Sequence, residues 1–236
     1  MPPLTTIGFD ADDTLWQNES FFQITQARFA ELLADAASPD HLMQRLDAAE
    51  RRNLAHYGFG VKGFTLSMIE TAIEVTEGRV AAQVIGEILA AGREMLNHSI
   101  DLLPHAREAV AALAGDYKVI LITKGDLLHQ ESKLARSGLG DLFHGVEIVS
   151  DKTPEIYARI FARHGQGAER SMMVGNSLKS DILPALAAGA TGVHVPHQLN
   201  WSLDLADPPQ ADARFFSIPD LSHLPDLVMR IAKTIP

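Results

Sequence analysis

Apolar positions along the chain follow two rhythms. Short, nearly unbroken apolar runs occur at LTTIGF (4–9), YKVILIT (117–123), VEIVS (146–150), SMMVG (171–175) and TGVHVP (191–196). Their length and β-branched content are those of buried strands. Stretches with an apolar residue every three or four positions follow at 126–137, 153–164 and 181–188. In LPHAREAVAALAG (103–115), Pro104 marks the start, Ala106, Val110 and Leu113 share a face, and Gly115 marks the stop. Alternation of this kind predicts a parallel sheet with right-handed helical crossovers, whose strands carry functional groups at their carboxyl ends.

Residues 16–100 break the alternation. They give only amphipathic helices, with faces read as Phe22, Phe29 and Leu33, then Leu42, Leu46 and Ala49, then Leu66, Ile69 and Ile73, then Val84, Ile88 and Met95. Ser38-Pro39 reads as one helix entrance, Ser as N-cap and Pro at the first helical position. The expected organisation is therefore an α/β, Rossmann-like core from 1–15 and 101–236, with helices on both faces of its sheet and an all-helical segment, 16–100, inserted after the first strand. The last stretch, 211–236, suggests one more short strand and a closing helix behind a Pro-containing loop at 203–210.

Composition narrows the function more than the fold. A formal charge of −10 lacks the basic stripe needed for nucleic acid or anionic lipid. The absence of cysteine excludes disulfides, thiolate nucleophiles and Cys-based zinc sites. No apolar run approaches the roughly 18 residues of a membrane span, and MPPLTT has no signal-like pattern, so a cytoplasmic location is expected. Oligomeric state is not written in these patterns.

Against that acidic background, GFDADDTLW (8–16) sets Asp10, Asp12 and Asp13 within four positions at a strand end. A solvated turn with a helix cap is one reading, since Asp is common in both. An EF-hand loop fails, because Leu15 and Phe21 stand where its Gly and Glu belong. The remaining reading is phosphoryl transfer, with Asp10 as nucleophile and Mg²⁺ offsetting the crowded charge. That chemistry needs groups that hold the phosphoryl oxygens. Later strand ends offer Thr123, Lys124 and Gly125, then Lys152, then Asn176, Ser177 and Asp181. Lys152 precedes a helix start, where the macrodipole disfavours a cation by about 0.3–1 kcal/mol, and such an exception invites a functional explanation.

Other patterns lead nowhere. GFGVKG (58–63) spells G-x-G-x-x-G but follows a helical stretch rather than a strand. GNSLK has Lys179 where a nucleophile elbow needs Gly. His194 and His197, on a strand and its exit, point to different faces.

Asp10-x-Asp12-x-Thr14 after an apolar strand, Thr123 at a strand end, Lys152 ahead of a helix and Asp181 in GNSLKSD occur in the order of the haloacid dehalogenase (HAD) superfamily. The chain resembles its phosphatase-like branch with an inserted helical, C1-type cap. That resemblance implies that Asp10 attacks phosphorus and that Asp12 protonates the leaving oxygen and then activates water. It implies that Thr123, Lys124, Gly125 and Lys152 hold the phosphoryl group. Mg²⁺ would rest on Asp10, the Asp12 carbonyl, Asp181 and Asn176, where Asn replaces the commoner Asp. Cap residues Phe59 and Lys62 are expected to contribute to specificity. The implied substrate is a small phosphorylated metabolite. Dehalogenase, phosphonatase and phosphotransferase chemistry, or a non-catalytic phosphoacceptor or sensor, remain as alternatives, and Asp12 favours ester hydrolysis because halide departs without a proton.

Overall fold

The computed structural model describes residues 3–199, 201 and 204–233. The chain divides into two compact units, Met1–Glu19 with Ile100–Lys124 and Gln130–Pro236, and Ser20–Ser99 with Gly125–His129.

The first unit is built on six parallel strands, β1 (Thr6–Phe9), β2 (Lys118–Lys124), β3 (Gly145–Val149), β4 (Ser171–Gly175), β5 (Thr191–His194) and β6 (Phe215–Ser217), in the order β3-β2-β1-β4-β5-β6. The central strands β1, β2 and β4 are largely apolar because both faces are covered, whereas the edge strand β3 carries Glu147 and an exposed Val146. Ile7, Phe9, Val119, Leu121, Met172 and Val174 point to one core, with residues of α5 (Ala106–Ala114) and α9 (Leu224–Lys233). Ile120, Ile122 and Met173 point to the other, with Tyr157, Ile160 and Phe161 of α7 (Pro154–His164) and Ala185 of α8 (Leu183–Ala187). Gly8 lets this second layer close, since a Cβ there would come within 2.8 Å of Ile122 and 3.4 Å of Phe161.

Strand order runs outward in opposite directions from β1, so the ends of β1, β2 and β4 lie side by side at the switch point. The chain leaves this unit and returns to it through paired segments. Leu103 N–H donates to Leu15 O and Gln17 N–H to Asp101 O, both at 2.9 Å.

The second unit comprises α1 (Glu19–Leu32), α2 (Pro39–Tyr57), α3 (Val61–Val75) and α4 (Ala82–Asn97), with the start of α6 (Leu127–Ser137). Its core holds Phe29, Leu33, Leu42, Leu46, Phe64, Met68, Ile88 and Met95. The Ser38 side chain accepts no cap bond, so the entrance to α2 rests on the preset φ of Pro39. The face read for the third helix is corrected. Leu66 and Ile73 are 42% and 45% exposed, whereas Val61, Phe64, Met68 and Ala72 are buried. VKGFTLSMIETAIEV is apolar on more than one side, and packing selects the stripe. Gly92 of α4 sits where a Cβ would lie 2.3 Å from Thr65 Oγ1, which fixes the side of α3 that faces α4. GFGVKG forms the tight link between α2 and α3, with Gly58 and Gly60 at φ 70° and 117°.

Candidate active site

Just past β1, four residues form a tight loop in which Leu15 N–H donates to Ala11 O at 2.8 Å and Asp13 takes φ 60°. This loop sends its three carboxylates to three different environments, which resolves their crowding. Asp10 continues the strand line into the first unit's interior. Asp13 accepts from the amides of Asn18 (2.9 Å) and Glu19 (3.0 Å) at the start of α1, so the cap reading holds for this one residue.

Lys152 lies two residues ahead of α7, whose start is set by Thr153 as N-cap and Pro154. Its ammonium is buried and bridges Asp10 Oδ1 at 2.5 Å and Asp181 Oδ1 at 2.6 Å. Asp181 comes from a one-turn π-helix, Leu178–Ile182, after β4, capped by Ser177 Oγ accepting from Ser180 N–H. The wide turn tucks Asp181 against Gly175, where a Cβ would meet Asp181 Oδ2 at 2.3 Å, and Ser177 N–H donates to that oxygen. Thr14 Oγ1 donates to Asp10 Oδ2 at 2.9 Å and lies 3.2 Å from Asn176 Oδ1.

Burial, and then the Asp181 charge, push the Asp10 carboxyl up from 3.8 to about 7, although Lys152 draws it back. Burial works against the Lys152 ammonium, but Asp10 and Asp181 hold its pKa well above the ordinary lysine value. Asp12 behaves differently. Burial resists its charge, yet Lys133, Gln130 and Trp16 hold it below the usual carboxylate value. Lys133 Nζ lies 2.8 Å from Asp12 Oδ1, Trp16 Nε1 2.7 Å from the same oxygen, and Gln130 Nε2 3.0 Å from Oδ2. The Gln130 amide also reaches Thr123 Oγ1 at 2.9 Å.

Hydrogen bonds thus join Asp10, Lys152, Asp181 and Asn176 through Thr14, and Asp12 with Thr123 through Gln130. Lys124 is turned elsewhere, to Ser180 Oγ at 2.6 Å and Asp204 Oδ1 at 3.0 Å. Gly125, Phe59 and Lys62 belong to the helical unit, where Gly125 has φ 141° and Lys62 pairs with Asp126 at 2.8 Å. His194 Nε2 donates to the Asn176 carbonyl oxygen at 2.9 Å, while His197 Nδ1 faces Leu199 O, so the two rings meet different partners. Sequence reasoning passed over Gln130, Lys133, Trp16 and Asp204. The available signal was polar residues at positions 130 and 133 of a helix that exposes Leu127 and Leu128.

Among the described residues no three His, Cys, Asp or Glu side chains are grouped to hold a metal. The oxygen set is instead two carboxylates, Asp10 and Asp181, which share the Lys152 ammonium, with the Asn176 amide oxygen linked to Asp10 through Thr14. It fits Mg²⁺, which uses one or two carboxylates and fills its other positions with water and phosphate oxygens. The room left for Asp181 by Gly175 and the raised Asp10 carboxyl agree with a site that favours added positive charge.

The model of the haloacid dehalogenase-like hydrolases matches residues 4–189. A haloacid dehalogenase-like family hydrolase from Xanthomonas campestris is 44% identical in sequence and superposes with a TM-score of 0.88, over 98% of this chain and 93% of that one. A glyceraldehyde 3-phosphate phosphatase from Methanothermobacter thermautotrophicus is 26% identical over 83% of this chain and 87% of its own. A glyceraldehyde 3-phosphate phosphatase from Methanocaldococcus jannaschii is 24% identical over 96% and 98%. With the motif residues on the ends of adjacent parallel strands, this chain belongs to the haloacid dehalogenase-like hydrolases.

Proposed function

We propose that the protein is a Mg²⁺-dependent phosphatase of small phosphorylated metabolites, working through an aspartyl-phosphate at Asp10. The observation that carries this reading is the buried Lys152 ammonium held between Asp10 and Asp181, which gathers three motif residues from different strand ends at one place. Asp12 favours an ester over a halocarbon as the substrate, because an alkoxide leaving group needs a proton and a halide does not. The phosphatase names of the two archaeal relatives support the same reaction class.

In the first half-reaction an Asp10 carboxylate oxygen bonds to phosphorus as the ester P–O bond breaks, and the departing alkoxide takes a proton from Asp12. In the second, Asp12 removes a proton from water, the water oxygen bonds to phosphorus, and the acyl–phosphate bond breaks to restore Asp10 and release phosphate. Asp12 rests ionised, so the proton for the leaving alcohol is one it takes up before or with the substrate. Thr123 Oγ1 and Lys152 Nζ bind the equatorial oxygens. Mg²⁺, held by Asp10, Asp181, Asn176 and the Asp12 carbonyl, would supply the charge that keeps Asp10 ionised near neutral pH and lets it accept an anionic ester. The helical segment 16–100 would act as the cap that selects the organic part, with Phe59 and Lys62 contributing, and a cytoplasmic location would suit such a substrate. Among the described residues no helix is long and apolar enough to cross a membrane.

A panel of phosphorylated metabolites, assayed for released phosphate with Mg²⁺ and with a chelator, tests the proposal. Turnover that needs Mg²⁺ and vanishes in Asp10→Asn is expected. Undiminished turnover in that variant would overturn the nucleophile, and a long-lived phosphoprotein with no released phosphate would favour a sensor.

A further inference from the structure

Resting on the phosphatase reading, we infer that Gln130 and Lys133 are positioning residues that aim the Asp12 carboxylate for its two proton transfers. They stand three residues apart on α6 and so share one face. That face is buried, and Gln130 and Lys133 are 4% and 6% exposed. A helix that only closed the fold would carry apolar residues there, as burying a lysine is unfavourable without a partner.

The partners are specific. Lys133 Nζ spans Asp12 Oδ1 and Asn18 Oδ1, both at 2.8 Å, which ties the carboxylate to the chain just beyond the β1 loop. Gln130 Nε2 faces three oxygens, Asp12 Oδ2 (3.0 Å), Thr123 Oγ1 (2.9 Å) and Lys124 O (2.9 Å). Reversing the amide would set its oxygen against a carboxylate and a carbonyl, neither of which can donate, so the orientation is fixed. The cost shows on the other side, where Gln130 Oε1 is buried and without a hydrogen-bond partner among the described residues. Native interiors seldom leave an acceptor unsatisfied, and a residue that does so is retained for what its other end does. Here that end links the carboxylate that moves protons to the hydroxyl proposed to hold the phosphoryl group. Trp16 Nε1 completes the hold on Oδ1 at 2.7 Å.

Asp12 serves the leaving group and the water, whereas attack by Asp10 does not need it. Loss of aim should therefore be selective. With p-nitrophenyl phosphate, whose leaving group needs no acid, Gln130→Met and Lys133→Met should keep a p-nitrophenol burst of one per enzyme, then turn over slowly as water attack fails. With an alkyl phosphate, kcat should fall roughly 10–100-fold, within the range of general acid–base contributions, with KM changed less than about threefold. In an Asp12→Asn background neither substitution should lower kcat further, because a residue that acts through Asp12 has nothing left to aim.

The experiment is this double-mutant cycle on the full-length protein, with both substrates, burst kinetics and thermal melts. Gln130→Met retains the Lys133–Asp12 ion pair and serves as the variant of record should Lys133→Met fail to fold. Additive losses in the Asp12→Asn background, or a uniform loss on both substrates with the burst abolished, would overturn the inference while wild-type turnover leaves the phosphatase reading standing. A wild-type protein that hydrolyses no phosphate ester would remove both.

Discussion

Asp10→Asn removes the charge that folding disfavours most among the residues at the strand ends. The Asp10 carboxyl moves from 3.8 to about 7, through burial first and the Asp181 charge second. A carboxyl raised in this way holds its proton more tightly in the folded state. Its ionisation therefore erodes stability as pH rises past 3.8, and the whole loss is in place above about 7. The gap is about 3 pH units, at about 1.36 kcal/mol each, so roughly 4 kcal/mol at most. Asparagine has the same shape, can keep its contacts with Thr14 and Lys152, and cannot ionise. In the absence of divalent metal, Asp10→Asn should match the wild type near pH 4 and exceed it by about 2–4 kcal/mol at pH 8, or about 5–15 °C in Tm for a chain of this size. Thermal melts from pH 4 to pH 8 in chelator measure this difference directly. A variant no more stable than the wild type at pH 8, or a gap that fails to widen with pH, would refute the electrostatic reasoning. Asp10 would then not be held in a destabilising form.

Removing the cation should do the opposite. Lys152→Met leaves Asp10 and Asp181 buried without their shared partner, and should cost about 3–5 kcal/mol in denaturant melts at pH 8. Adding Mg²⁺ should recover part of that loss, and no recovery would argue against a cation site between the two acids. Gly175→Ala puts a methyl 2.3 Å from Asp181 Oδ2, so Asp181 must leave. A fall in kcat/KM of about 100-fold with weaker Mg²⁺ dependence is expected, and near-normal kinetics would show that Asp181 is not needed where it stands. Asp13→Asn should be nearly neutral and Asp13→Ala should cost about 0.5–2 kcal/mol, because position 13 has φ 60° and caps the start of α1. Equal losses in both would remove the capping role.

The sheet was legible because strands buried on both faces are largely apolar, and each strand given bounds from the sequence lies within two residues of them, β1 and β5 being shorter by two. That Asp10, Lys152 and Asp181 would meet was legible for a related reason. Polar groups at the ends of such runs have few structural uses, and Lys152 broke a helix-start rule that its buried ion pairs with Asp10 and Asp181 now explain. Gln130 and Lys133 were not legible, because LLHQESKLARS inverts the usual pattern by exposing its leucines and burying its polar face. Read by hydrophobicity alone, those two residues look solvated. Lys124 misled in the other direction. A lysine at a strand end next to Thr123 looks like a phosphate ligand, but Asp204, from the loop before β6, lies too far along the chain for its pairing with Lys124 to be foreseen. The third helix failed because an all-round apolar sequence offers two stripes, and only the close approach at Gly92 decides between them.

The central claim is that Asp10 becomes phosphorylated in each turnover. Acid quenching during steady-state hydrolysis, followed by peptide mass spectrometry, reads this directly. A phosphoryl group on the peptide carrying Asp10, lost on incubation at neutral pH and missing from Asp10→Asn, is the predicted result. Steady turnover with the phosphoryl group on another residue would contradict it.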